Sequence, residues 1–184
     1  SDGDLDVFVW GKQIPGAYPR STPSLIFRQE NGTLKIWKPT QNPLARLGLV
    51  NGALWSDLNA DGRPELITCS EWGEIQIHRY ENGKLMRDDP LIRATSDEPD
   101  QAQRLSDLTG WWLGLATGDF DNDGRLDLVA GNWGENSRWQ TTREHPLELH
   151  FGNPVVPQRT DLFMSQFDPS ENQYYSETDF NTLR

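Results

Sequence analysis

In Asp119-x-Asp121-x-Asp123-Gly124-x-x-Asp127, acidic side chains occupy positions 1, 3, 5 and 9 of one short loop. Alternate residues of a tight loop turn their oxygens toward a common centre. The glycine at position 6 permits the sharp turn, and Arg125 at position 7 can add its backbone carbonyl. Carboxylates held this close repel one another unless a cation lies among them. A donor set made only of oxygen, with neither His nor Cys, suits a hard ion, and Ca2+ tolerates irregular coordination better than Mg2+.

The same places are filled a second time by Asp57, Asn59, Asp61, Arg63 and Glu65. Asn at position 3 lowers the ligand charge, and Glu65 is one methylene longer than Asp, so this loop is expected to bind more weakly. Asp2, Asp4 (through its carbonyl) and Asp6 fit the later half of the pattern. Two full Ca2+ sites and one partial site are therefore expected, all structural. An EF-hand would need a bidentate Glu at position 12; Thr68 and Ala130 stand there instead. A solvated Asp-Gly turn would explain any one such loop. Recurrence at regular spacing favours the metal.

The elements that must position these loops also repeat. The Asp-Gly pairs begin at 2, 61 and 123, and Gly52 and Gly114 each precede an acidic loop. Trp10-Gly11, Trp72-Gly73 and Trp133-Gly134 follow the three motifs, while Glu30-Asn31-Gly32 and Glu81-Asn82-Gly83 read as hairpin turns between alternating runs. No long stretch shows a helical apolar period. A fixed period of about sixty residues suits one four-stranded sheet with its loops, the size of a propeller blade. The expected fold class is all-β, in three four-stranded units over 1–50, 51–112 and 113–165, with an irregular tail over 166–184. Residues 87–110 read as a long surface loop or a short irregular helix. A fourth, degraded copy is suggested by counting back from Asp161 to Asn153, Val155, Pro157 and Gln158; without ligands it should hold no metal.

Composition narrows the function. The 184 residues carry 28 acidic and 17 basic side chains, a net charge of −11, which repels phosphate backbones and argues against nucleic acid. No apolar run approaches the length of a membrane span. One cysteine rules out an internal disulfide framework and any Cys-rich zinc site; Cys69, after Leu66-Ile67-Thr68, reads as a small buried residue. Only 35% of residues are apolar but eight are Trp, which points to small aromatic-rich cores.

The Asp-x-[Asp/Asn]-x-Asp-Gly-x-x-[Asp/Glu]-Leu-[Val/Ile] loops resemble FG-GAP or VCBS-type repeats, the blades of integrin-α-like β-propellers. The run from Gly110-Trp111-Trp112 through Gly131-Asn132-Trp133-Gly134 to Arg138 is similar to secreted bacterial proteins of that class. The resemblance covers most of residues 1–165. It implies calcium in an intra-blade hairpin loop and an extracellular, cell-surface or periplasmic setting. Propellers close with several blades, so about three units imply a segment of a larger ring, completed by the same longer chain or by a partner chain.

Two functional readings follow. The first is a non-enzymatic calcium-binding module for extracellular binding or adhesion, with a protein or glycan as ligand. The second is part of a propeller-fold polysaccharide-active enzyme, lyase-like, or a carbohydrate-binding protein, with His78 or His150 as a proton acceptor. The three Trp-Gly tryptophans read as packing between blades, and Trp111, Trp112 and Trp139 as open to a sugar-stacking role. His145 is isolated, no nucleophile elbow or phosphate loop is present, and the Asn31-Gly32-Thr33 sequon serves first as a turn.

Overall fold

The computed structural model describes residues 4–38, 43–93, 102–134, 137–139, 141–152 and 160–176. All of its sheets are antiparallel. β1 (Val7–Val9), β2 (Leu25–Glu30) and β3 (Thr33–Ile36) form a three-stranded sheet in that order. β4 (Leu49–Ser56), β5 (Glu65–Glu71), β6 (Ile75–Glu81) and β7 (Lys84–Asp88) form a four-stranded meander. A small hairpin of β8 (Leu91–Arg93) and β9 (Ala102–Arg104) leads to the two-stranded sheet of β10 (Trp112–Gly118) and β11 (Asp127–Asn132). The last sheet is β12 (Glu148–Gly152), β13 (Asp161–Asp168) and β14 (Gln173–Ser176). This succession of small meanders is the arrangement of propeller blades, and the described sheets do not close into a ring.

The repeat is visible in the strands. Each acidic loop joins two of them, β4 to β5 and β10 to β11, and its ninth residue opens the second strand. β1, directly after Asp6, is by the same token the counterpart of β5 and β11. Asp161 opens β13 as Asp127 opens β11, which matches the suggested fourth copy; the loop itself, 153–159, lies outside the described residues. The Asn-Gly turns are tight because both residues adopt positive φ, 53° and 75° at Asn31-Gly32 and 50° and 82° at Asn82-Gly83. That is the turn whose twist fits two-residue hairpins.

Several expectations need correction. Among the described residues only the 49–88 unit has four strands. The β10–β11 sheet has two, and none of the described residues between 133 and 147 forms a further strand beside β11. Residues 166–176 are not an irregular tail; they finish β13 and form β14, where Phe167 faces Tyr174 across the register. In the described part of 87–110 the end of β7, the paired strands β8 and β9 and a 3-10 turn at Leu105–Asp107 stand where a loop or short helix is expected; 94–101 lie outside the described residues.

β5 lies at the centre, with every residue buried. Successive side chains of a strand point to opposite faces, and β5 uses both. Leu66 joins Ile26, Leu44, Leu47, Val50 and Leu85 in one core, with Phe8 and Trp37 against it. Ile67 and Cys69 join Ile75, Ile77 and Leu105 in the other, together with Leu115 and Leu128 of the next unit. Cys69 is thus the buried residue expected from its place in the sequence.

Two glycine repeats have a steric cause. Gly52 and Gly114 follow matching irregularities in the β4–β5 and β10–β11 registers. A Cβ on Gly52 would lie 3.3 Å from the Cα of Gly114 and 3.2 Å from Cys69 Sγ, so the units approach backbone to backbone there. Asn51, at the irregularity, donates its Nδ2 to the Trp112 carbonyl at 2.7 Å and ties the two units together. The Trp-Gly glycines differ among themselves. A Cβ on Gly11 would lie 2.2 Å from Thr22 Oγ1 and 2.4 Å from the Thr22 carbonyl. Gly134 instead has a positive φ of 51°, and a Cβ there would meet only the Asn132 carbonyl, in ordinary contact at 3.9 Å. We expect Gly11→Ala to cost about 1–3 kcal/mol, the usual range for overpacking, read as a lower urea midpoint. Gly73→Ala, whose Cβ would meet Ser70 Cβ at 3.2 Å and the Glu71 carbonyl at 3.8 Å, should cost less. An equal loss at both positions would show that the Thr22 contact does not govern the turn.

Candidate metal centre

The loops 57–65 and 119–127 are built alike, bond for bond. The position-1 carboxylate accepts two backbone N–H groups with its two oxygens: Asp57 from Asp61 and Gly62 at 3.0 and 2.9 Å, Asp119 from Asp123 and Gly124 at 3.0 and 3.0 Å. Position 3 accepts the same position-5 N–H through Asn59 (2.9 Å) or Asp121 (3.0 Å). Position 5 accepts the N–H of Arg63 or Arg125. Position 9 reaches back to position 2, Glu65 to Leu58 at 3.0 Å and Asp127 to Phe120 at 2.9 Å. Short acidic side chains bonding to nearby backbone are what such turns use. Positive φ at positions 4 and 6 (58° and 83° at Ala60 and Gly62, 63° and 85° at Asn122 and Gly124) closes the curl.

The consequence is concentrated charge. One carboxylate oxygen from each of Asp119, Asp121 and Asp127 lies within 4.8 Å of the other two. In the 57–65 loop the corresponding centre is crossed by an amide. The oxygen of Asn59 is engaged by the Asp61 N–H, so its Nδ2 faces inward and donates to Glu65 Oε1 at 3.1 Å and Asp61 Oδ2 at 3.3 Å. Glu65 is buried. Its carboxyl is pushed above the usual range, first by burial and then by the neighbouring charges of Asp61 and Asp57, with the Leu58 N–H pulling the other way. The donor chemistry of the 119–127 loop, oxygen throughout, fits a hard divalent cation; in the 57–65 loop the inward Asn59 amide would have to turn away to admit one.

The partial third loop is less complete. Asp2 lies outside the described residues. Asp4 and Asp6 are exposed, and Asp6 Oδ1 accepts the Gln29 N–H at 3.0 Å. The position-9 carboxylate of this copy is thus engaged with β2, across the sheet from its own strand.

The histidines considered as proton acceptors are in the strands expected for them, β6 and β12. His78 is only 1% exposed and so cannot reach a polymer. His150 Nε2 lies 2.8 Å from Ser165 Oγ and 3.1 Å from Glu148 Oε2, while Ser165 also donates to Glu148. Serine, histidine and an acid are therefore together. In a nucleophile relay, however, the acid holds the imidazole nitrogen opposite the one that faces serine. Here both partners share Nε2, and the group is a polar cross-strand cluster.

Sequence reading left the tryptophans separate; the structure links four of them. Ring centroids are 5.0 Å apart for Trp72–Trp111, 4.6 Å for Trp111–Trp133 and 5.7 Å for Trp133–Trp139. Trp72 is anchored from behind, its Nε1 donating to the Tyr18 hydroxyl at 2.6 Å, and Tyr18 in turn donates to the buried Glu71 carboxylate. Burial and that carboxylate raise the Tyr18 pKa well above the phenol range. Trp10, by contrast, is 44% exposed and stacks on Phe8, their ring centroids 6.4 Å apart. The recurrence of Trp-Gly after each motif was the one available signal that Trp72 and Trp133 hold equivalent places, which the structure puts on either side of Trp111.

Residues 57–130 match the FG-GAP-like repeat family. The chain matches no curated protein and no solved structure. The matched stretch opens on position 1 of one acidic loop and closes in the strand that follows the next, so it contains both loops and the sheet between them. Over residues 57–130 the chain is similar to FG-GAP-like repeat proteins.

Proposed function

We propose that the chain is a calcium-binding β-propeller repeat module, non-enzymatic, that serves binding outside the cell or at its surface. The observation that carries this reading is the convergence of Asp119, Asp121 and Asp127 on one centre within a loop whose backbone N–H groups already orient them. Calcium would offset the repulsion among these carboxylates and pin the β10–β11 connection. The Arg125 and Arg63 carbonyls at position 7 and the position-5 carboxylates of Asp123 and Asp61 would complete the two sites. The loop 57–65 should bind more weakly, since Asn59 removes one charge. Sites of this kind in extracellular modules have dissociation constants of about 10⁻⁴–10⁻³ M, which suits a setting rich in calcium. Among the described residues no helix is long and apolar enough to cross a membrane.

The test is calorimetric titration of chelator-stripped protein with Ca2+ and then Mg2+. Two Ca2+-selective events of unequal affinity are expected. Asp121→Asn should weaken the tighter one, and Asn59→Asp should draw the weaker one toward it. Silence toward Ca2+, or equal uptake of Mg2+, would remove the proposal.

A further inference from the structure

We propose that the tryptophan-lined cleft beside β11 is a binding site for a neutral oligosaccharide, a reading that names the ligand class of the binding module above but does not depend on its calcium. The cleft has a volume of about 850 Å³ and is lined by Trp72, Trp111, Trp133 and Trp139. That lies within the range of small-ligand pockets, roughly 300–1,000 Å³. It opens where none of the described residues between 133 and 147 forms a further strand beside β11.

The walls are fixed before any ligand arrives. Gly73 and Gly110 exchange backbone hydrogen bonds of 3.2 and 2.7 Å, and Trp133 N–H donates to the Trp111 carbonyl at 3.0 Å. Arg143 donates to Gln103 Oε1 at 2.6 Å and joins the 103–111 wall to the 139–147 wall. Tyr18 holds Trp72 from the other side. Sites supported in this way lose little on binding to ordering of their own side chains.

The remaining lining selects the ligand class. Gln103, Thr109, Asn132, Ser137, Thr141 and Thr142 contribute uncharged amides and hydroxyls, beside one carboxylate, Asp107, and one guanidinium, Arg143. The buried indole N–H of Trp139 has no hydrogen-bond partner among the described residues. An apolar ligand would leave the Trp139 N–H unpaired. A quaternary ammonium would gain from the rings but would meet Arg143, and a polyanion would meet Asp107 and a chain of net charge −11. A sugar has what both halves of the lining ask for: a C–H face for indole rings and hydroxyls that both donate and accept.

The experiment uses the ¹⁵N-labelled chain with calcium present and repeats it in chelator, titrating with cellohexaose, xylohexaose and mannohexaose, and separately with a galacturonate hexamer and choline. At least one neutral hexamer should saturate, moving the indole N–H signals of Trp72, Trp111, Trp133 and Trp139 while those of Trp10, Trp37 and Trp55 stay in place. Trp139→Ala should weaken that binding at least tenfold, and Trp10→Ala should leave it unchanged. The indole map needs no variant, so it decides the matter if Trp139→Ala fails to fold. Absence of shifts with all three neutral hexamers, shifts confined to galacturonate or choline, or unchanged affinity in a folded Trp139→Ala protein would overturn the proposal. Failure of the calcium sites would show in the metal titration and leave the indole map intact.

Discussion

Stripping calcium from the chain should lower its melting temperature by roughly 5–10 °C, and Asp121→Asn should reverse the sign of its effect between the two conditions. A ligand present at a hundredfold above its dissociation constant stabilises the folded state by about 2.7 kcal/mol, and in a chain of this length each kcal/mol is worth about 2–4 °C. In chelator, the oxygens of Asp119, Asp121 and Asp127 face one another within 4.8 Å. Removing one charge there relieves repulsion. The asparagine oxygen can still accept the Asp123 N–H that Asp121 accepts at 3.0 Å, as Asn59 does for Asp61 in the other loop. The variant should therefore melt above the parent in chelator and below it in excess calcium. Melts of both proteins in both buffers settle the point. A shift of the same sign throughout would mean that the carboxylates answer to the loop backbone and not to a cation.

Acid should destabilise the chain through His78 before the loop carboxylates are considered. This ring is buried on β6, registered against Leu66 on one side and Arg87 on the other, and its Nδ1 has no hydrogen-bond partner among the described residues. Burial, and secondarily the charge of Arg87, lowers its pKa from 6.5 to about 4. The unfolded chain therefore binds the proton more readily. Stability from the neutral ring is complete above about pH 6.5, falls as the pH drops toward 4, and levels off below it. With 1.36 kcal/mol per pKa unit the loss is on the order of 3 kcal/mol. Urea unfolding in chelator at pH 7 and pH 4 should show this loss in the parent and a loss smaller by about that amount in His78→Leu. Leucine leaves no buried polar atom unpaired, so the neutral-pH stability of the variant should change little. Parallel pH profiles for the two proteins would place the acid sensitivity elsewhere.

The parts of the fold that sequence reading recovered are those whose cause is local. Each acidic loop is specified within nine residues: side chains at alternate positions reach backbone N–H groups two to five residues away, and glycine supplies the left-handed turn. The Asn-Gly hairpins are equally self-contained. The buried state of Cys69 followed from a short apolar strand in the middle of a repeat unit. Strand count was less legible. β14, with its exposed Gln, Tyr and Ser residues, carries no pattern of its own and exists because β13 offers an edge to pair with. The two-stranded sheet of β10 and β11 departed from the expected four strands, a difference the repeated motifs themselves do not show.

The sequence by itself determined the acidic loops, their spacing and the all-β repeat, because those features rest on contacts between neighbours in the chain. Only the tertiary structure decided which repeated residues do the same work. Gly52 and Gly114 are pressed together, whereas Gly11 and Gly134 share a motif but not a steric reason. Only the tertiary structure, too, gathered Trp72, Trp111, Trp133 and Trp139 around one cleft. Those rings are brought together by the Gly73–Gly110 bridge and by the approach of β4 to β10. Contacts between residues this far apart depend on how finished sheets pack, and no short stretch of sequence encodes that packing.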